Sequence, residues 1–169
     1  FCTLLTILMR RVVVAAAPNF PAALASARAV STCDMSFSNK TMRVQDAVRL
    51  VKDGDCVAVS GFVAQSPPEA VLRALGQLYK TTGAPKDLTL YFHGGPGDWA
   101  DRGLNHLAQP GMLKRTVGSH YGQTPRIAEM VQRNEIEAYN VPMGTICRMT
   151  RAGGSGRTAY STTVGIGTM

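Results

Sequence analysis

The chain is short of acids, of cysteine and of histidine, and each shortage narrows what it can be. Its 169 residues hold 11 acidic side chains against 18 Lys and Arg, a formal charge of +7. Part of that excess is an end effect: residues 1–33 carry Arg10, Arg11 and Arg28, and Asp34 is the first acid. Elsewhere the bases are mixed with acids and never form a basic run interleaved with aromatics, so no nucleic-acid partner is indicated. A mild positive surface also suits a substrate that carries phosphates. The four cysteines, Cys2, Cys33, Cys56 and Cys147, make no C-x-x-C pair, and two of them fall in the amino-terminal stretch. Cys56 and Cys147 therefore read as buried thiols of a protein kept in a reducing compartment. His93, His106 and His120 lack i, i+4 spacing, so no helical two-histidine metal site is expected and they read as isolated structural residues. The apolar run Val12 to Ala17 is too short to cross a bilayer, and no membrane partner is expected. A serine nucleophile elbow, a Walker loop and internal repeats are also missing; GGSG at Gly153 to Gly156 lacks the final glycine of G-x-S-x-G.

What is present describes a globular α/β protein. Hydrophobic content of 45% and charged content of 17% fit one domain of ordinary size with its own core. The first residue is Phe1, so the chain reads as a piece of a longer one or as starting in a translated upstream stretch. From Met9 the sequence is rich in Arg, Ala and Ser and free of acids up to Asp34, as mitochondrial transit peptides are. A secretory signal is the competitor, but Arg28 and two prolines break up any single apolar segment. Residues 1–40 are thus expected to be a leader and linker, residues 41–169 the domain, and the location the mitochondrial matrix, with the cytoplasm as alternative.

The stretch DGDCVAVSGFVAQSPPEAVLRAL, Asp53 to Leu75, carries most of the organisation. Cys56 to Val59 is a continuous apolar run between Asp-Gly and Ser-Gly, the pattern of a strand buried on both faces. Ser66 as N-cap, Pro67 at the first helical position and Glu69 three residues on from Ser66 compose a capping box. The helix that follows places Val71, Leu75, Leu78 and Tyr79 on one face, with Arg73, Gln77 and Lys80 away from it. Strand, glycine loop and helix begin a βαβ unit, in which ligands gather beyond the carboxyl ends of the strands. A well-made βα turn without any ligand fits the local sequence equally well.

Leu88 to Phe92 reads as a second strand, followed by a glycine-rich loop. Gly95-Pro-Gly97-x-x-Ala100 matches G-x-G-x-x-A in form, but Asp98 would set a carboxylate beside a pyrophosphate and no acid follows about twenty residues on. A mobile or ligand-covering loop is the expectation there. Lys114 to Ser119 reads as a third strand. Thr124-Pro125 then caps a helix with Ile127, Met130 and Val131 on one face. Ile136 to Pro142 is a fourth strand stopped by proline.

Three segments, in order, resemble the amino-terminal half of family I CoA-transferases. That family's signature is an acid-glycine pair, a short apolar strand, Gly-Gly-Phe, three residues, Gly, one residue and Pro. This chain keeps Asp53, Gly54, Val57, Ala58, Val59, Gly61, Phe62 and Pro68, with Ser60 and Ser66 in place of two glycines. LKRTVGSHYG, Leu113 to Gly122, is similar to the family's third-strand region. NEIEAYNVPMGTICRMTRAGGSGRTAYSTTVGIGT, Asn134 to Thr168, resembles the segment with Pro-Gln-Gly-Thr, Arg-Ala-Gly-Gly-x-Gly and a terminal Gly-x-Gly-Thr, except that Met143 replaces the glutamine. GLNHLAQPGML and the Ser-Gly-Phe variant are closest to the acetate or propionate CoA-transferase branch, whose halves are fused.

The resemblance implies an open, mostly parallel sheet with helices on both faces, of the class shared with sugar-phosphate isomerases and incomplete at its carboxyl end. It implies CoA exchange between a short-chain acyl-CoA and a carboxylic acid through an enzyme glutamate, with CoA as substrate and no further cofactor. The nucleophilic glutamate belongs to the carboxyl half and is expected beyond Met169. No catalytic residue is therefore expected on this chain, which alone should be inactive. Gly61, Phe62, Val63, Ala64 and Gln65 are expected to face the acyl group, supported by Ser66, Pro67, Pro68 and Glu69. Gly94, Gly95, Met143 and Gly144 are further candidates for lining the site. The partners implied are acyl-CoA, the carboxylic acid, the carboxyl-terminal half and further copies in a homo-oligomer. Two other classes share this kind of sheet: a sugar-phosphate-binding or ligand-sensing domain, and a non-catalytic half that assembles with a catalytic one.

Overall fold

The computed structural model describes the backbone of residues 12–14 and residues 41–168. Met169 lies outside the described residues, and so does the position beyond it at which the nucleophilic glutamate is expected. Five strands, β1 (Val12–Val14), β2 (Cys56–Phe62), β3 (Leu88–Gly94), β4 (Leu113–Gly118) and β5 (Glu137–Asn140), form one sheet in the order of the chain. Every neighbouring pair is parallel. β1 lies within the stretch read as a leader; the rest of that stretch is outside the described residues.

The helices are α1 (Val44–Val48), α2 (Glu69–Thr82), α3 (Pro125–Gln132) and α4 (Met143–Gly154), with a 3-10 turn at Leu104–Leu107. Strands joined in sequence by right-handed crossovers must place their connections on one face. That face holds the main core: Val48, Leu72, Leu75, Leu104, Leu107, Ile127 and Met130 pack onto Val57, Val59, Leu88, Leu90 and Phe92. α4 follows the last strand and covers the other face, where Ile146 meets Tyr91 and Val117.

Alternation along the strands explains the division. In β3, Leu88, Leu90 and Phe92 join the main core while Tyr91 points the other way. β2 shows the same pattern, with Val57 and Val59 buried and Cys56 and Ala58 half-buried under the smaller cluster. Burial on both faces, expected for Cys56 to Val59, is therefore met on one face only. α2 buries Leu72, Leu75 and Gly76, with Val71, Leu78 and Tyr79 at the margin and Arg73, Gln77 and Lys80 in solvent. α3 begins with Pro125 at its first turn and buries Ile127 and Met130, although Thr124 donates to the Tyr121 carbonyl and does not cap the helix.

The two cysteines of the domain part company. Cys56 is half-buried, and its thiol is pushed up to about 11 by burial and then by the Asp55 charge, which leaves it unreactive. Cys147, expected to be buried, is exposed on α4.

Phe92 is fully buried, meets Tyr121 edge-on at 5.3 Å, and presses its ring against Gly118, where a Cβ would collide with it. Gly118→Ala should therefore lower stability by about 1–3 kcal/mol in the complete protein, the usual cost of overpacking. Urea unfolding would read this, and Phe92→Leu in the same chain should recover part of the loss through a coupling that the single variants lack.

Candidate active site

The carboxyl ends of β2 and β3 meet in a tight set of backbone contacts. The β2–β3 register breaks between Val59 and Phe62, at Ser60-Gly61, where Gly61 has φ 128°. Beyond the break the chain folds back on itself: Phe62 N–H donates to the Gln65 carbonyl at 3.1 Å and Gln65 N–H to the Phe62 carbonyl at 2.9 Å. Val63 and Ser66 both have φ 54°. A β-branched residue in the left-handed region costs on the order of 1–3 kcal/mol, and it persists only where its surroundings over-determine it. Here they do: Val63 N–H donates to the Gly94 carbonyl at 3.3 Å, and the Val63 carbonyl accepts Gly97 N–H at 3.0 Å. Phe62, Val63 and Gln65 thus have their N–H groups engaged. Those of Ala64 and Ser66 have no acceptor among the described residues.

Gly61 and Phe62 thus end the strand, while Val63, Ala64 and Gln65 make the turn. Phe62 is 56% exposed, and one edge of its ring lies on Gly94, where a Cβ would come within 2.5 Å of it. Gly94 is brought to the turn, its carbonyl accepting Val63 N–H, and Gly95 follows it in the chain. Met143 and Gly144 follow β5, three strand positions from β2 or roughly 14 Å across the sheet. Both are exposed at the start of α4.

The capping box does not form. α2 starts at Glu69 with Pro68 as N-cap and no side-chain cap hydrogen bond. Pro67 is itself followed by proline, which disfavours helical ψ, so the helix cannot begin there. Ser66, left-handed, then lies too far from the first turn to cap it. Glu69 turns instead to the loop after β3, where its Oε2 accepts Gly103 N–H at 2.8 Å and its Oε1 pairs with His106 Nε2 at 2.6 Å. Partial burial raises the Glu69 pKa, but the hydrogen bonds from His106 and Gly103 outweigh it and hold the carboxyl below its usual range.

That loop, expected to be mobile or ligand-covering, is packed at its base. Gly95, with φ 56°, lies against the His120 carbonyl and Gly97 against the Gln123 carbonyl; a Cβ at either would collide with backbone. Asp98 Oδ1 accepts the N–H groups of Ala100 at 3.1 Å and Arg102 at 2.9 Å, so it caps the loop. The Arg102 amide leads the causes that lower its pKa. Trp99, at the tip, is 59% exposed.

A polar cluster under α4 is a feature that histidine spacing does not reveal. Tyr91 hydroxyl lies 2.8 Å from Thr150 Oγ1, and His93 Nε2 lies 3.1 Å from the same oxygen. Ser119 Oγ donates to the His93 carbonyl. The group forms only because α4 brings Thr150 back across the sheet. A cavity of about 500 Å³ lined by Arg49, Lys52, Asp53, Leu78, Thr82 and Pro85 lies at the opposite, amino edge, away from these turns.

With this geometry in view, the chain belongs to the Coenzyme A transferase family, which it matches over residues 41–169. It is 36% identical over 130 residues to acetate CoA-transferase YdiF of Escherichia coli K12, covering 75% of this chain and 24% of that protein. It is 29% identical over 133 residues to the acetate CoA-transferase subunit alpha of the same strain, covering 79% of this chain and 57% of the subunit. The solved thioester complex of YdiF with CoA, from E. coli O157:H7, superposes with a TM-score of 0.69 at 33% identity, over 75% of this chain and 26% of that one. The chain thus spans about a quarter of the length of YdiF and rather more than half of the alpha subunit. The parallel α/β architecture and the amino-half resemblance agree with these relatives.

Two outcomes follow from this geometry. A Cβ on Gly61 would lie 3.1 Å from Pro96 Cβ and 3.3 Å from Pro67 Cα, at a φ that β-branched residues avoid. Gly61→Val in the complete protein should lower kcat at least about a hundredfold, in line with loss of a backbone donor site, with the circular dichroism spectrum retained. Near-normal kcat would remove the turn from the active site. His93 supplies the second outcome: burial pushes its pKa below the usual imidazole value. Its contribution is complete above the unfolded value of about 6.5 and is lost as pH falls through the folded one. The denaturation midpoint of the complete protein should drop between pH 7.5 and 5.5 (~two units across the imidazole range), and His93→Gln should flatten that drop.

Proposed function

We propose that the complete protein exchanges CoA between a short-chain acyl-CoA and a carboxylic acid, and that this chain supplies the donors for negative charge on the reacting carbonyl. The observation that carries the reading is the strained turn at Val63, fixed by Gly94 and Gly97, with the N–H groups of Ala64 and Ser66 left without acceptors among the described residues. An unspent N–H held in a rigid turn stabilises a developing oxyanion without reorganising.

The chemistry divides between two elements. A glutamate of the carboxyl-terminal half, beyond Met169, attacks the thioester carbonyl; the carbonyl oxygen takes the charge, and CoA leaves as thiolate to give a mixed anhydride. The thiolate then attacks the glutamyl carbonyl, giving a glutamyl-CoA thioester and releasing the carboxylate. The acceptor acid regenerates a mixed anhydride and takes CoA in turn. CoA enters and leaves as substrate, and the scheme needs no other cofactor. YdiF has been solved as a thioester complex with CoA, and that likeness supports a thioester step in the scheme.

Several acids among the described residues have other partners. Asp53 Oδ1 accepts Lys86 N–H, Asp55 Oδ2 accepts Lys52 N–H, and Glu69 is held by Gly103 and His106. Glu129 and Glu137 pair with Arg133 and Arg115. The acid-free, arginine-bearing amino-terminal stretch supports a mitochondrial destination for the complete protein.

The test uses acetyl- or propionyl-CoA labelled in the acyl group. The 169-residue chain alone should take up no hydroxylamine-sensitive label, and label should appear once the carboxyl-terminal half is supplied. Stoichiometric label on a glutamate of this chain would overturn the assignment of the nucleophile. No exchange by the two halves together would overturn the transferase reading.

A further inference from the structure

We infer that Glu69, paired with His106, is a positioning residue that aims the Ala64 N–H, an inference that rests on the transferase reading. The link is a series of hydrogen bonds joined through the backbone of Gly103-Leu104 and Pro96-Gly97. Glu69 Oε2 accepts Gly103 N–H at 2.8 Å while Oε1 holds His106 Nε2 at 2.6 Å. Gly103 faces Gly97 across an antiparallel bridge, and Leu104 N–H donates to the Pro96 carbonyl at 2.9 Å. Gly97 N–H then donates to the Val63 carbonyl at 3.0 Å.

The last step is covalent geometry. The Val63 carbonyl and the Ala64 N–H belong to one planar trans peptide unit, in which C=O and N–H point in opposite directions. Whatever fixes the Val63 carbonyl therefore fixes the Ala64 N–H. A carboxylate is a strong acceptor for the Gly103 amide, so the series is anchored at its far end by a charged group. Both side chains of the pair are largely covered, at 35% exposure for Glu69 and 22% for His106. A purely structural role for Glu69, completing the first turn of α2 against its dipole, makes a different forecast.

The experiment compares wild type, Glu69→Ala and Glu69→Gln in the complete enzyme, with Gly61→Val as reference. Four quantities are measured: kcat, KM for the carboxylic acid, melting temperature, and hydrogen exchange at the Gly97 amide. Glu69→Ala should lower kcat about 10- to 100-fold, less than deletion of a whole donor, with KM within about twofold and the protein folded at the assay temperature. Glu69→Gln, whose carboxamide oxygen still accepts Gly103 N–H, should recover kcat to within about threefold. Gly97 exchange should quicken in the alanine variant and not in the glutamine one.

An unchanged kcat in Glu69→Ala would overturn the inference, as would a loss that only tracks unfolding or that Glu69→Gln shares in full. If wild type transfers no CoA, or Gly61→Val stays active, the transferase role of the turn falls and takes the catalytic part of the inference with it. Gly97 exchange still decides, in that case, whether Glu69 controls the turn.

Discussion

Val63 keeps a left-handed backbone because its amide and its carbonyl are both claimed, by Gly94 and Gly97 respectively. The arrangement of the carboxyl edge depends on that double claim. Gly94 can approach only because it has no side chain to meet the Phe62 ring, and Gly97 only because it has none to meet the Gln123 carbonyl. The contacts that hold Val63 are therefore available only to glycine at those two positions. Strain at one residue is sustained by close approach at two others, and the approach is enforced by loops that belong to three different strands.

Main-face elements are readable from sequence because periodicity and burial agree there. Val57, Val59, Leu88, Leu90 and Phe92 alternate as strands must, and α2 and α3 carry their apolar residues at helical spacing. The capping box misleads because Ser66, Pro67 and Glu69 match it in spacing while Pro68 forbids the conformation it needs. α4 leaves little trace: it buries Thr145, Ile146 and Ala152 and ends in glycines, so its helical form rests on docking to Tyr91 and Val117. The segment's family likeness is legible where its secondary structure is not.

Candidate site residues divide along the same line. Gly61 to Gln65 are candidates through the strand-loop-helix pattern and the family resemblance together, and Gly94 and Gly95 through the resemblance. Glu69's partners cannot be picked in this way, since Gly103 and His106 are 34 and 37 residues distant. Met143 and Gly144 are candidates through likeness of motif alone, and the sheet order places two strands between β5 and β2. Sequence adjacency to a motif carries no information about which end of a five-stranded edge it reaches.

The proposed separation of nucleophile from oxyanion donors has a physical reason visible in this chain. Carboxylates placed near free N–H groups are captured by them: Asp98 takes the amides of Ala100 and Arg102, and Glu69 that of Gly103. Capture lowers the carboxyl pKa in both cases, stabilising the anion and weakening it as a nucleophile. It also spends the donor, which could then no longer respond to charge appearing on a substrate carbonyl. The glutamate proposed on a different element would leave the Ala64 and Ser66 amides unspent until the charge develops. The shortage of uncommitted acids around the Val63 turn is thus the condition under which its free N–H groups remain useful.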